Sequence, residues 1–259
     1  MNDGDREILA FAAAHRVVLA SHVHILLGSG EHGTPTRLAA LERAGLVRHE
    51  RALRSEPWCY QITRQGLAAL GSDLPPPRAD LRSCREDIGV AWLWLAARDG
   101  AFGHADRVMS KREQRALDRT RTARAQADER TEPRLPPGNR SEPPFGVRLE
   151  SRGPELPRLH YPDLLVISEG KRIAIELALS VPGQRSVEQI LGGYRAEPSI
   201  GVALYLVDDD LVAGSIQAPA ARLGISNRIH VQPVRYPGTR EQSHATRREQ
   251  TEPVESHTT

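Results

Sequence analysis

The chain has 259 residues, of which 39% are hydrophobic and 26% are charged, and its formal net charge is +2. This length suits about two domains. The polar N-terminus does not resemble a signal peptide, and no apolar run approaches the roughly 18 residues that a membrane helix needs. We therefore expect a cytoplasmic protein without membrane contact.

Cys59 and Cys84 lie far apart and outside any CxxC spacing, which indicates neither a disulfide framework nor a zinc site.

The basic residues are almost all arginines, since only Lys111 and Lys171 among the 35 are lysines. Arginine offers planar, bidentate donors that suit phosphate and base edges, which favours a nucleic-acid partner. A GC-rich genome would produce the same bias, so both explanations stay open.

The first block, residues 1–75, begins with three predicted helices. Ile8, Leu9 and Phe11 have helical spacing, and Ser21 is placed to cap a second helix. The third begins at Thr34-Pro35 and ends at Gly45. The segments LVRHERAL and WCYQIT then predict a β-hairpin, followed by the short helix RQGLAALG.

This order, with the run AGLVRHERAL…YQITRQGLAAL, resembles a winged helix-turn-helix domain. The resemblance implies that residues 1–75 bind double-stranded DNA, with the third helix in the major groove and the hairpin as the wing. The implied DNA-binding residues are Thr36, Arg37 and Arg43 on the helix and Arg48, Arg51 and Arg54 on the wing. Winged helices also serve as protein-binding modules, so a transcriptional regulator or a protein-interaction module remains an alternative.

Histidines crowd the same block, and they raise the question of a metal site. The one pair at close spacing, His22 and His24, would point about 200° apart on a helix. We therefore predict surface or packing roles for these histidines.

Two segments are poor in the residues that build cores. From about 116 to 158, Pro, Arg, Glu and Ser replace aromatic and β-branched residues, which predicts a disordered insertion. Residues 236–259 have a similar composition and are predicted to be a disordered tail. The second ordered block then spans 80–235 around the insertion.

Alternation and helical spacing in this block predict a helix, three strands, a helix, a strand, a helix and a strand. The segments are EDIGVAWLWLAAR, ADRVMSKREQRA as an edge strand, YPDLLVIS, KRIAIELALS, SVEQILGGYRA, SIGVALYLV, DLVAGSIQAPAARLG and RIHVQPV. Glu169-Gly170 is a turn of the hairpin type between the second and third strands. The chain is thus expected to combine α+β and α/β features.

Side chains alternate between the two faces of a strand, and in KRIAIELALS this places Glu176 on a face whose adjacent positions hold small residues. A carboxylate in mid-sheet is costly unless it is paired, protonated or bound to a cation. Asp163, after Pro162 on the preceding strand, is placed to reach it, and two carboxylates suit Mg²⁺. The ordinary alternative is that Asp163 caps a turn or pairs with an arginine, while Glu176 accepts bonds from the backbone or Arg172.

The spacing P-D…(x12)…E-x-x in an αβββαβ order resembles the PD-(D/E)xK restriction-endonuclease-like fold. YPDLLVI…GKRIAIELALS…RSVEQILGGYRA…VALYLV with an upstream winged helix resembles the replication-relaxation family. That likeness implies a DNA-binding accessory protein of plasmid or mobile-element replication, relaxation or mobilisation. Implied partners are relaxase or replication proteins, and a homodimer is compatible with such binding.

The resemblance places Asp163 and Glu176 at the catalytic and metal-binding acid positions, with Mg²⁺ as the implied cofactor. Where active nucleases have a lysine, this chain has Ala178. Lys111 or Gln189 could supply part of that function. The nuclease-like domain is therefore expected to serve binding or assembly, with a Mg²⁺-dependent endonuclease as the alternative.

Overall fold

The computed structural model describes residues 1–28, 33–51, 58–78, 80, 83–131, 143–150 and 158–235. The fold combines helices with a mixed sheet and belongs to the α+β class, as the sequence predicted. Among the described residues, no helix has both the length and the apolar character that a membrane span requires.

The N-terminal unit contains four helices and a three-stranded antiparallel sheet. Its elements are α1 (Asp3–Ala14), β1 (Val18–Leu19), α2 (Ala20–Leu27), α3 (Gly33–Arg43), β2 (Val47–Arg51), β3 (Trp58–Ile62) and α4 (Arg64–Leu70). The predicted hairpin forms between β2 and β3, and β1 adds a third strand that the sequence analysis missed because it has only two residues.

Side-chain caps begin two of the helices in this unit, α1 and α4. The Asn2 side chain accepts the Asp5 N–H at 2.8 Å, and the Asp5 carboxylate accepts the Asn2 N–H at 3.1 Å. Thr63 caps α4 by accepting the N–H of Gly66 at 3.0 Å. These bonds satisfy N–H groups that have no partner within the helix.

The second unit is a five-stranded mixed sheet flanked by helices. Its elements are α5 (Cys84–Arg98), β4 (Arg107–Ser110), α6 (Lys111–Thr131), β5 (Val147–Arg148), β6 (Leu159–His160), β7 (Leu164–Ser168), β8 (Lys171–Ala178), α7 (Gln184–Ala196), β9 (Ile200–Val207), α8 (Asp210–Arg222) and β10 (Ile229–Pro233). The sheet order is β10-β9-β8-β7-β4. β8, β9 and β10 are parallel, whereas β7 is antiparallel to both β8 and β4.

The turn between β7 and β8 has the geometry that its sequence predicts. Glu169 and Gly170 both have positive φ, at 49° and 76°. This pair of left-handed residues matches the right-handed twist of a two-residue hairpin. It fixes the register of β7 against β8, and with it the relative positions of the acids.

Helix α5 joins the two units. Ala91 and Leu95 pack into the core of the N-terminal unit, while Leu93 and Ala97 pack against the sheet. Both pairs are buried, so α5 contributes to two cores at once. One helix thereby fixes the N-terminal unit beside the sheet.

The prediction of disorder was wrong for the first part of the insertion, which belongs to helix α6. Residues 116–131 are helical, not disordered, because Ala, Arg, Gln and Glu favour helix and because Gln114 and Asp118 anchor one face. Asp118 accepts the N–H groups of Phe145 and Gly146 at 3.0 and 3.3 Å, which holds residues 143–150 on the helix. The remaining insertion, 132–142 and 151–157, and the tail 236–259 lie outside the described residues.

Candidate functional site

Asp163 directly precedes β7 and lies opposite Glu176 of β8. In the antiparallel ladder Leu164 is opposite Ile175, so the same register continued by one residue places Asp163 opposite Glu176. Opposed residues project to the same face of the sheet. The predicted proximity of the two acids therefore agrees with the register.

The predicted alternation of side chains between the two faces of β8 is also confirmed. Ile175 and Leu177 pack into the core on one side of the sheet, while Ala174 and Ala178 contact the core on the other side. Glu176 shares the alanine face because side chains alternate along a strand.

Lys111 is the cation at this pair of acids. It directly follows β4, whose Ser110 pairs with Leu164, and this register carries Lys111 alongside Asp163. The Lys111 N–H donates to the Asp163 carbonyl at 3.1 Å, and its Nζ lies 2.9 Å from Asp163 Oδ1. Asp163 thus pairs with the lysine that begins α6, directly after the edge strand, and not with an arginine.

The charge on Lys111 is stabilised by its surroundings. Burial alone would lower its pKa, but the carboxylates of Asp163 and Glu176 outweigh burial and raise the pKa above its usual value. Lys111 is therefore protonated at neutral pH, and its chemical role is that of a fixed cation.

The second oxygen of Asp163 is held by the backbone. Oδ2 accepts the N–H of Leu177 on β8 at 3.0 Å. Together with the Lys111 contact, this bond fixes the carboxylate between two strands. Asp163 is oriented and has a side chain that is 21% exposed, so solvent reaches it.

Glu176 is nearly inaccessible and is held by two side chains that the sequence analysis did not assign to it. Its Oε1 accepts from His160 Nε2 at 2.6 Å and from the Tyr194 hydroxyl. Neither Arg172 nor the backbone has this role, since Arg172 donates to the Pro144 carbonyl at 2.9 Å. His160 comes from β6 and Tyr194 from α7, and no local sequence pattern links these segments to β8.

These contacts keep Glu176 ionised. Burial would raise its pKa, but His160, Lys111 and the Tyr194 hydroxyl together lower it. The Tyr194 hydroxyl in turn stays protonated, because burial and the Glu176 charge raise its pKa. The site therefore combines the ionised Glu176 with the ammonium of Lys111 and the neutral hydroxyl of Tyr194.

The two carboxylates are oxygen ligands of the kind that Mg²⁺ takes. Among the described residues, no hydrogen bond reaches Oε2 of Glu176, although that side chain is only 8% exposed. Mg²⁺ commonly uses one or two carboxylates together with substrate phosphate. No cluster of three or more His, Cys, Asp or Glu residues suited to a metal occurs in the described part of the chain.

Gln189 and Ala178 complete the predicted site. Gln189 lies on α7, where it forms no hydrogen bond to Asp163 or Glu176 among the residues that the structure describes. Ala178 ends β8, and the ammonium near the acids comes from Lys111 and not from the β8 position two residues after Glu176. Tyr194, five residues after Gln189, is the α7 residue that reaches Glu176.

A cavity of about 200 Å³ opens beside Asp163 and Lys111. Most of its other lining residues come from α5, α6 and the end of α1 with the segment after it, and they include Glu86, Asp87, Arg112 and Arg115. Burial, the largest cause, and the nearby Asp163 raise the pKa of Glu86, and burial raises the pKa of Asp87 to about 6. The candidate site is thus reached from the junction between the two units.

The predicted DNA-binding residues of α3 differ in their surroundings. Thr36 and Arg43 are exposed, as expected for groove contact. Arg37 turns toward α1, where its Nε lies 3.8 Å from Asp5 Oδ1. The outward face of α3 therefore has less positive charge than the sequence suggested.

The predicted wing residues are described only in part. Arg48 donates to Gln61 Oε1 at 2.9 Å within the hairpin. Arg51 ends β2, but its side chain lies outside the described part of the structure, and Arg54 lies wholly outside it.

The packing interpretation of the N-terminal histidines is confirmed for His15 and His22. Both are buried, and each packs against an aromatic ring of Phe11, Trp92 or Trp94. His22 Nδ1 also accepts the Leu19 N–H at 3.0 Å at the start of α2.

Comparison with known protein families found no family model that matches this chain, and no curated protein matches it.

Proposed function

We propose that the protein is a DNA-binding accessory protein of plasmid or mobile-element replication, relaxation or mobilisation. The proposal includes double-stranded DNA as a ligand, relaxase or replication proteins as partners, and a homodimer as the binding form. It rests on the sequence resemblance together with the arrangement of the elements.

The observation that carries the proposal is the order of the elements in both units. Helices α1 to α3 followed by the β2–β3 hairpin have the order of a winged helix-turn-helix. Elements α5, β4, β7, β8, α7 and β9 follow the αβββαβ order of restriction-endonuclease-like domains, with α6, β5 and β6 inserted between β4 and β7. Domains with these two element orders commonly contact DNA, which supports a nucleic-acid role over a purely protein-binding one.

In this proposal the exposed face of α3 enters the major groove. Thr36 and Arg43 are the described residues of that face able to contact base edges or phosphate. Arg48 lies on the hairpin beside this helix and would contact the flanking backbone.

Fluorescence anisotropy with a labelled duplex tests this proposal. We expect the logarithm of affinity to fall with the logarithm of salt concentration by about 0.9 per phosphate contacted. Arg43→Ala should weaken binding several-fold, whereas Arg195→Ala, which removes an exposed arginine on α7, should not. No binding to duplex, or affinity independent of salt, would contradict the proposal.

Mg²⁺-dependent DNA cleavage is a second candidate function, and the position of Lys111 favours it. A lysine ammonium beside two opposed carboxylates supplies the charge that Ala178 does not. The protonated Lys111 would stabilise negative charge that develops on a phosphoryl oxygen. His160 and Tyr194 would orient Glu176.

Asp163 and Glu176 are the residues that would hold Mg²⁺. When bound, the ion would supply Lewis-acid stabilisation of the phosphate. The high pKa of Lys111 excludes it as a neutral proton acceptor near pH 7. Its contribution in this chemistry is electrostatic and positional.

Cleavage of supercoiled, linear and branched DNA with Mg²⁺ or Mn²⁺ tests the second candidate. Activity should be lost in Asp163→Asn and fall at least tenfold in Lys111→Gln. Lys171→Gln is the matched control, because Lys171 lies at the opposite end of β8 and is exposed. Cleavage that survives Asp163→Asn would show that another site or a contaminant is responsible.

A further inference from the structure

Five arginines from three separate segments line one cleft between the two units. They are Arg16, which follows α1, Arg78, which lies between α4 and α5, and Arg112, Arg115 and Arg119 on α6. The cleft has a volume of about 340 Å³, and Pro75, Asp80 and Ala116 complete its lining.

The spacing of the α6 arginines brings them to one side of the helix. Positions 112, 115 and 119 recur at three and four residues, which places side chains on the same face. From Arg112 to Arg119 the helix rises about 10 Å. This distance equals about three nucleotide steps at the roughly 3.4 Å that each strand has along the axis of a duplex.

Backbone contacts hold Arg112 in place without neutralising its charge. Arg112 donates from Nε to the Ala13 carbonyl at 2.9 Å and from Nη2 to the Pro75 carbonyl at 2.5 Å. These carbonyls belong to α1 and to the segment after α4, so Arg112 fastens α6 to the N-terminal unit. Its acceptors are neutral, and its positive charge remains in the cleft.

The arginines also interact unfavourably with one another. Burial lowers the pKa of Arg112 and Arg115, and the charge of Arg16 lowers both further. Arg16 is only weakly compensated, since its Nη1 lies 3.9 Å from Asp87 Oδ1. Such crowding of like charges is costly in the free protein and is relieved by an anionic ligand.

The arginine cleft continues into the cavity beside the candidate active site. Arg16, Arg112 and Arg115 line both spaces, and Lys111 and Asp163 line the second one. An anion that enters along α6 is thereby led from Arg119 toward Lys111, at the N-terminus of the same helix.

We propose that the arginine cleft binds the phosphodiester backbone of a single nucleic-acid strand and directs it to Asp163 and Lys111. The proposal rests on the proposed function, and it adds that the second unit binds a single strand of the nucleic acid. A cleft of this volume has the size of a small-ligand site. It therefore admits a short part of one strand's backbone, while a duplex would remain on the surface.

Anisotropy with a labelled 20-nucleotide single strand and with the matching duplex tests this proposal. The Arg115→Ala/Arg119→Ala variant should bind the single strand at least tenfold more weakly. Its log–log salt slope should fall by about 1.4, because a single strand contributes about 0.7 per phosphate contact. Arg185→Ala/Arg195→Ala on α7 removes the same charge outside the cleft and should leave both values unchanged.

A second variant, at an exposed position, separates a loss of binding from a loss of folding. Arg119 is exposed, so Arg119→Glu should fold normally and weaken single-strand binding more than Arg119→Ala does. Unchanged single-strand affinity and slope in both cleft variants would overturn the proposal. An equal loss for duplex and single strand would overturn its selectivity for one strand.

The outcome is separable from that of the winged-helix proposal. Arg43→Ala should affect the duplex and leave the single strand unaffected, because Arg43 lies on α3, away from the cleft lining. If Arg43→Ala has no effect while the cleft variants lose the single strand, the cleft proposal stands and the winged-helix proposal fails.

Discussion

The ammonium of Lys111 lies 2.9 Å from Oδ1 of Asp163, and the charges of Asp163 and Glu176 raise the pKa of this lysine. The position two residues after Glu176 on β8 is Ala178, so the cation reaches the acids from the edge of the sheet. One ammonium thereby offsets two carboxylates at a place where the sheet meets a charged cleft.

Replacement of Lys111 by methionine should destabilise the protein. Asp163 and Glu176 would lose their shared cation, and a buried or partly buried charge without its partner costs about 1–3 kcal/mol. Urea unfolding at pH 7.5 measures the loss. Lys171→Met is the control, since Lys171 is exposed and should change the free energy of unfolding very little. Equal effects of the two substitutions would contradict the role of Lys111.

The Tyr194 hydroxyl should stabilise the ionised Glu176. Tyr194→Phe removes one of the two side-chain donors to Oε1, and we expect a loss of about 1–2 kcal/mol. Tyr205→Phe is the matched control, because the Tyr205 hydroxyl forms no hydrogen bond among the described residues although its side chain is also buried. Chemical denaturation of both variants at pH 7.5 should separate them clearly.

The pH dependence of that difference follows from the sign of the pKa shift. Because the folded protein lowers the pKa of Glu176, its contribution to stability is present above the carboxyl's ordinary pKa and is lost as pH falls through the lowered value. The Tyr194→Phe effect should therefore shrink below about pH 4.5. A difference between wild type and variant that grows on acidification would contradict this account.

Acid should destabilise the N-terminal unit through His15 and His22. Burial, the largest cause for both, lowers the pKa of each histidine from 6.5 to about 3. Between these values the unfolded chain binds more protons than the folded chain, so stability falls as pH drops below 6.5. Each histidine contributes up to about 1.4 kcal/mol per pH unit.

The substitution His22→Asn tests the acid sensitivity directly. Asparagine does not titrate and retains a side-chain acceptor for the Leu19 N–H. We expect the slope of unfolding free energy against pH, measured between pH 6.5 and 5, to fall by about half. His230→Asn, on the exposed side of β10, should leave the slope unchanged. A wild-type slope in His22→Asn would exclude His22 as a source.

Replacement of Gly66 should destabilise the protein, because α4 lies close to the Leu46 backbone at this position. A Cβ at this position would lie 2.2 Å from the Leu46 carbonyl oxygen, which is fixed by the Thr63 N–H at 3.0 Å. Gly66→Ala should therefore cost about 1–3 kcal/mol. Gly192→Ala, within α7 and in open space, should instead stabilise by about 0.5–1 kcal/mol. Thermal unfolding of both variants measures the contrast.

The elements of the sheet were predictable because their signals are local. Alternation along β8 and the Glu169-Gly170 turn fixed which residues face Asp163. Helix α6 was not predicted, because composition alone indicated disorder. Its buried Asp118 binds N–H groups 27 and 28 residues later, and no window of sequence contains both partners.

The candidate site was predictable only in its acids. Lys111 and Gln189 were the two candidates to replace the lysine absent at Ala178, and the register of the edge strand brings Lys111 to Asp163. His160 and Tyr194 reach Glu176 from other elements, so only the folded chain assigns them to it. The arginines of α6 recur at helical spacing in the sequence, but the small net charge of the whole chain does not reveal this cluster.

The most direct test of the account compares binding of a blunt duplex with binding of the same duplex carrying a single-stranded overhang, over a range of salt concentrations. The account predicts steep salt dependence for both DNAs and tighter binding of the overhang, because the N-terminal unit takes the duplex and the arginine cleft takes the strand. Arg119→Glu should abolish the advantage of the overhang. Equal affinity for the two DNAs, or binding that salt does not weaken, would contradict it.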